Sequence, residues 1–249
     1  MLKLFDGRIF LGRDHNLDSF QFSTIQSIKK MLDKYRVEKA ILTSFSSFRF
    51  DFKFGNELIF EAVKEEPRLI PCPVVIPNSA GETGDEEEFI ENLIKRGARC
   101  VSFHPKSFGL SIDEKVCGRL FKAISERSLP VIISAEELEL EKVAFLAENW
   151  PDIPFIYSAM NYRQARNLYP ILEKIKNLHI DIAPPNCINE GIEEMVKRGF
   201  VNQIIYASCF PISEPGAVIS YLMYAKITEE EREKIAFGNM DRLVKGVKK

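Results

Sequence analysis

Eight times along this chain a short apolar run rich in Val and Ile gives way to a longer segment with amphipathic spacing, and that alternation leaves few folds open. The runs are LKLFDGRIF (2–10), KAILTSF (39–45), LIPCPVVI (69–76), ARCVSFH (98–104), PVIIS (130–134), PFIYSA (154–159), LHIDIA (178–183) and QIIYAS (203–208). Between them lie helical segments such as TIQSIKKMLDKY, DEEEFIENLIKRG, DEKVCGRLFKAISER and INEGIEEMVKRG. Several end in basic residues followed by Gly, the signature of a helix C-terminus. The strand interiors are almost continuously apolar, as parallel strands covered on both faces require. An open doubly wound sheet would carry a Gly-rich phosphate loop after its first strand, and GRIFLGRDH (7–15) does not match G-x-G-x-x-G. The pattern predicts one (β/α)₈ barrel, a single domain over residues 1–249, close to the ~250 residues such a barrel needs.

Composition narrows the partners. Hydrophobic residues make up 45% and charged residues 28% of the chain, enough apolar material for one large core. A net charge of −2 with scattered Lys and Arg gives no footprint for nucleic acid. The five cysteines (72, 100, 117, 187, 209) include no C-x-x-C pair, which points to reduced thiols and a cytoplasmic protein. No signal-like apolar region opens the sequence and no run approaches a membrane span, so no membrane partner is expected.

Barrels of this kind carry their chemistry at the C-terminal ends of the strands. Those ends supply Arg8 and Phe10, Ser44 and Ser46, Pro77 and Asn78, His104, Ser134 and Glu136, Ser158 and Asn161, Asp181 and Asn186, and Ser208 and Cys209. The mouth is polar but poor in metal ligands.

Six stretches resemble the amidohydrolase superfamily, specifically the amidohydrolase-related (family 2) metal-dependent hydrolases and decarboxylases. LFDGRIFLG (4–12) is similar to the opening D-x-H-x-H strand, and GARCVSFHP (97–105) to the fourth-strand element. LPVIIS (129–134) and WPDIPFIYSAMNY (150–162) resemble the fifth and sixth strands, and IIYASCFP (204–211) the eighth. ITEEEREKIAFGNMDRLV (227–244) resembles the terminal helix pair. The resemblance implies a TIM barrel and places the family's metal ligands at Arg8, Phe10, Ser134, Ala159 and Cys209. None of these is the family's His or Asp, so no cofactor is expected: a family metal such as Zn should be absent. Arg cannot ligate a cation, and Phe and Ala offer no lone pair.

The remaining residues define the candidate site. Arg8 is read either as an anion-binding group standing in the metal's place or as the partner of an acidic neighbour such as Asp6 or Asp181. His104 is a candidate acid or base, or a structural hydrogen-bonding group. Cys209 is either a nucleophile needing a base beside it or an inert buried thiol. A relocated metal site from His104, Asp181 and Cys209 is chemically open. Glu136 and Glu137 either complement a helix N-terminus or, for Glu136, face Arg8. His15 is read as a loop residue within reach of the mouth or simply solvated, and His179 as lying at the opposite end. The aromatic segment FSSFRFDFKFG (45–55) is a lid, a hairpin-like surface segment or a contact between copies in a homo-oligomer. The expected function is the binding of a small anionic ligand at the mouth by Arg8, Ser134, Glu136, Ser158 and Asn161, or a non-catalytic role. The alternative is a hydrolase, lactonase or decarboxylase working through His104, Arg8, Asp181 and Cys209.

Overall fold

The structure, a computed structural model, describes residues 2–14, 21–184 and 186–248; His15 lies outside them. Eight strands form the barrel: β1 (Leu4–Arg13), β2 (Val37–Ser44), β3 (Leu69–Pro71, resuming at Val74–Val75), β4 (Val101–Phe103), β5 (Val131–Ser134), β6 (Phe155–Ser158), β7 (Leu178–Asp181) and β8 (Ile204–Ile205). Each neighbouring pair is parallel. The ring closes where β1 meets the chain running out of β8. Gly7 N donates to Tyr206 O (2.9 Å), Cys209 N to Arg8 O (3.0 Å) and Phe10 N to Phe210 O (2.8 Å). The (β/α)₈ architecture predicted from the sequence is therefore present.

The break in β3 follows from its sequence. Pro71 and Pro73 have no N–H to give to a ladder. The first piece pairs with β2 and the second with β4. Cys72 N still donates to Leu42 O (2.8 Å), and Pro73 O accepts from Ser102 N (2.9 Å), so the wall continues across the break.

Helices α1 (Ile25–Tyr35), α2 (Phe52–Glu65), α3 (Glu86–Lys95), α4 (Glu114–Glu126), α5 (Leu140–Asn149), α6 (Ala165–Lys174), α7 (Gly191–Lys197) and α8 (Pro215–Tyr224) cover the outside. None among the described residues is long and apolar enough to cross a membrane. Inside the barrel, Phe5, Ile41, Cys72, Cys100, Ile132, Ile156 and Ile205 form one layer with Met240, Leu243 and Val244 of the closing helix Asn239–Lys245. That helix is fixed by Asn239, whose side-chain amide donates to Val201 O and Ile204 O, both at 2.7 Å. A second apolar layer, with Phe10, Phe45, Phe48, Ala183 and Cys209, lies toward the mouth.

The aromatic segment 45–55 is not a hairpin. Ser46–Arg49 is a single helical turn, and Asp51 then caps α2 by accepting from Phe54 N (2.6 Å). Phe at every second position fits a strand, but Asp51 is extended between the turn that carries Phe48 and the helix that carries Phe52 and Phe54, and this break decides which rings turn inward. Phe48 and Phe52 are buried, while Phe50 and Phe54 stand 82% and 51% exposed.

Gly55 lets α2 pass under that turn. A Cβ there would sit 2.2 Å from Ser47 N and 2.4 Å from Ser47 Cα, backbone atoms that cannot swing aside. Helix propensity alone would favour Ala over Gly by about 1 kcal/mol. Gly55→Ala is nevertheless expected to lower stability by about 1–3 kcal/mol, because the overpacking outweighs the propensity. Urea unfolding of the variant checks this, and a rise in its midpoint would contradict the close approach.

Candidate functional site: a buried arginine at the barrel mouth

β1 shifts register between Asp6 and Ile9, which lets Arg8 and Phe10 face the interior above Phe5. Arg8 is 5% exposed. Its guanidinium donates to Ser158 Oγ at 2.7 Å and lies 4.7 Å from the centre of the Phe10 ring. Ser158 in turn donates to Asp181 Oδ2. The other oxygen of Asp181 accepts from Ala159 N (3.0 Å) and Ala183 N (3.3 Å). Burial pushes the Asp181 carboxyl up, against the opposing pull of Ser158, the backbone amides and Arg8. Arg8 therefore reaches Asp181 through a hydroxyl, and among the described residues no carboxylate lies at ion-pair distance from it.

Asp6 serves the frame. Its Oδ1 accepts from Arg8 N (3.2 Å) and Ser208 N (2.9 Å), tying β1 to the end of β8. Its Oδ2 is buried without a hydrogen-bond partner, and burial pushes the carboxyl up to about 7.

His104 is 1% exposed at the end of β4. Nε2 is 2.7 Å from Ser102 Oγ, and the ring stacks on Phe48 with centroids 4.1 Å apart and planes 9° from parallel. Nδ1 faces Glu137 Oε1 at 3.5 Å, too far for a good hydrogen bond. Burial holds the imidazole below its ordinary range, Glu137 opposes that, and the charges of Arg8 and Arg49 reinforce it. Glu137 accepts from Ser107 N (2.9 Å) and Ser107 Oγ (2.6 Å). Burial raises its carboxyl, but the facing His104 ring and the two hydrogen bonds from Ser107 outweigh that and bring it to about 2.

These groups surround a cavity of about 370 Å³ whose walls include Arg8, Phe10, Phe48, His104, Glu137 and Cys209. Ser134 is buried at its edge, its Oγ 3.4 Å from Glu136 N, while Glu136 itself is exposed. Asn161 is an exposed rim residue that accepts from Arg163 N (2.9 Å). His179 is buried at the other end of its strand. Sequence reasoning missed Arg49, which enters the wall from the turn after β2 and is paired with Asp14 at 2.8 Å. The two are 35 positions apart, and no local pattern announces the pair.

Ala159 and Cys209 hold left-handed backbone, φ 55° and 57°, just beyond β6 and β8. Residues so placed cost ~1–3 kcal/mol and concentrate at functional sites. Burial pushes the Cys209 thiol up to about 12, so at neutral pH it is protonated.

No family model matches the sequence, and no curated protein matches it. Solved structures do match in shape. A 5-carboxyvanillate decarboxylase from Novosphingobium aromaticivorans, complexed with manganese and 4-hydroxy-3-methoxy-5-nitrobenzoic acid, superposes with a TM-score of 0.77 at 12% identity, over 98% of this chain and 96% of its own. A probable 2-pyrone-4,6-dicarboxylic acid hydrolase from Acinetobacter baumannii, with citric acid bound, gives 0.72 at 16%, over 98% and 99%. A dihydroxybenzoic acid decarboxylase from Polaromonas sp. JS666, with manganese and 2-nitroresorcinol, gives 0.71 at 12%, over 98% and 97%. The chain thus shares the TIM-barrel fold of these decarboxylases and of that hydrolase, the fold its strand-end motifs imply. At these identities the likeness is one of fold.

The comparisons correct one expectation. The sequence reading predicts no cofactor, yet two of these barrels hold manganese, so a metal belongs to the chemistry of this fold. The described residues do not fit such an ion as they stand. No three His, Cys, Asp or Glu side chains among them converge on one point. Arg8 also carries a fixed positive charge into the cavity.

Two outcomes follow from this geometry. Four cysteines are buried and Cys187 is exposed, so a thiol reagent at mildly alkaline pH should modify one of five quickly and the rest only on unfolding; a second fast thiol, located by peptide mapping to Cys209, would contradict its burial. For Asp6, a folded-state value raised from 3.8 to about 7 gives stability that is full below about pH 4 and is lost as pH rises toward 7. Asp6→Asn keeps the accepting oxygen and removes the titration. Its stability relative to the unmodified protein should climb across that window by roughly 4 kcal/mol, measured by urea unfolding against pH; parallel curves would disprove it.

Proposed function

We propose that the mouth of this barrel binds a small organic anion, with Arg8 as the anchoring charge. One observation carries the reading: a guanidinium 5% exposed at the cavity wall that, among the described residues, is held by one serine and has no carboxylate at pairing distance. Burying such a charge is unfavourable unless something of opposite sign meets it. Ser158 and Asp181 brace one edge of the planar fork, leaving its other donors for a carboxylate, whose two oxygens match that geometry. Each charge-assisted hydrogen bond contributes about 1.5–3 kcal/mol. A volume of about 370 Å³ suits a molecule of modest size, and Phe10 and Phe48 give it an apolar wall. The similar barrels that hold citric acid or a nitrobenzoic acid support the class of ligand.

Malonate, with chloride as the ionic-strength control, tests the reading. Near 100-fold excess over Kd it should stabilise the protein by about 2.7 kcal/mol, a rise in Tm of roughly 5–10 °C for a chain of this size. Arg8→Gln should abolish the rise. An equal rise in that variant, or none in the unmodified protein, would overturn it.

A further inference from the structure

We infer that an anion entering the mouth brings a proton with it, and that His104 takes the proton up; this rests on the reading of Arg8 as the anion's anchor. The groups facing the imidazole come from four directions. Arg8 stands on β1, Arg49 on the turn Ser46–Arg49, Glu137 on the segment after β5, and Ser102 on the same strand as His104. Cys209, protonated at neutral pH, lines the same cavity.

In the empty site burial holds the ring below its ordinary range, the charge of Arg8 and that of Arg49, itself paired with Asp14, add to it, and Glu137 favours the charged form. An anion seated on Arg8 cancels that guanidinium's charge and leaves Glu137 in place. The local balance then shifts toward imidazolium. The second proton has somewhere to point, because both ring nitrogens already face oxygen. Nδ1–H can close the 3.5 Å gap to Glu137 Oε1. Nε2–H can donate across the 2.7 Å contact to Ser102 Oγ, a hydroxyl able to turn from donor to acceptor. Phe48, stacked flat on the ring at 4.1 Å, offers its π face to the new cation. The step is a simple transfer: a buffer acid gives up a proton, neutral His104 becomes imidazolium, and no bond of the ligand breaks. Nδ1 lacks a full hydrogen bond within the protein, so a closer approach of Glu137 is a gain for the ring.

Calorimetry of malonate binding near neutral pH tests this, in imidazole, bis-Tris and Tris, whose cationic acids do not compete for Arg8. Observed enthalpy plotted against buffer ionisation enthalpy should have a slope that shows net proton uptake. His104→Gln should bind more weakly with a slope near zero. As a check on the unmodified protein, imidazole ¹⁵N shifts of the three histidines should show one ring moving from neutral to doubly protonated on malonate addition. Binding with zero slope would overturn the inference and leave the Arg8 reading standing. An unchanged slope in His104→Gln would also overturn it, by placing the proton elsewhere. Absence of malonate binding would overturn the Arg8 reading, and this inference with it.

Discussion

The seam between the first strand and the chain leaving the eighth is the constraint on which everything else in this protein rests. Three backbone hydrogen bonds, from Gly7, Cys209 and Phe10, turn a row of parallel strands into a ring without edges. Asp6 adds two more by accepting from both sides of the seam. The same few residues carry the mouth, since Arg8 and Cys209 exchange a backbone bond across it. Closure and site are therefore one piece of structure, and Arg8 is held by the bonds that make the barrel a barrel.

A positive charge so deep in a protein needs an account. Here Asp181 is kept one hydroxyl away, and Asp6, two positions along the strand, directs its paired oxygen to the backbone. The result is an electrostatic imbalance of fixed position, bounded by Phe10 on one side and by His104 and Glu137 elsewhere on the cavity wall. A buried pair in direct contact would have been closer to neutral and of less use to a ligand.

Much of the fold is legible in the sequence, because burial on both faces writes a parallel strand as a plain apolar run. The eight runs predicted are the eight strands found, most of them trimmed at their ends, the first running on to Arg13, the second starting at Val37 and the third broken after Pro71. The segment 45–55 was less legible, since Phe at alternate positions satisfies a period of two and also the i,i+4 spacing of a helix. At the site, Arg8 announces itself as a charge inside an apolar strand, and His104 and Cys209 through their positions after strands. Glu137 and Glu136 do not separate in sequence, yet one is buried against Ser107 and the other exposed. Arg49 and Asp14 meet only through the fold. The expectation of no cofactor failed for a different reason. Residue types at five positions describe this chain's local chemistry, whereas the manganese is a property of two similarly folded barrels that those positions do not report.

Ala159 and Cys209 sit in backbone conformations that glycine would adopt without strain. The chain places a methyl and a thiol there instead, both on the cavity wall. A glycine at either place would relax the backbone and also enlarge the chamber by the volume of a side chain. The conformational tension at these two strand ends therefore acts as a gauge of size: the protein gives up local comfort to keep its chamber narrow.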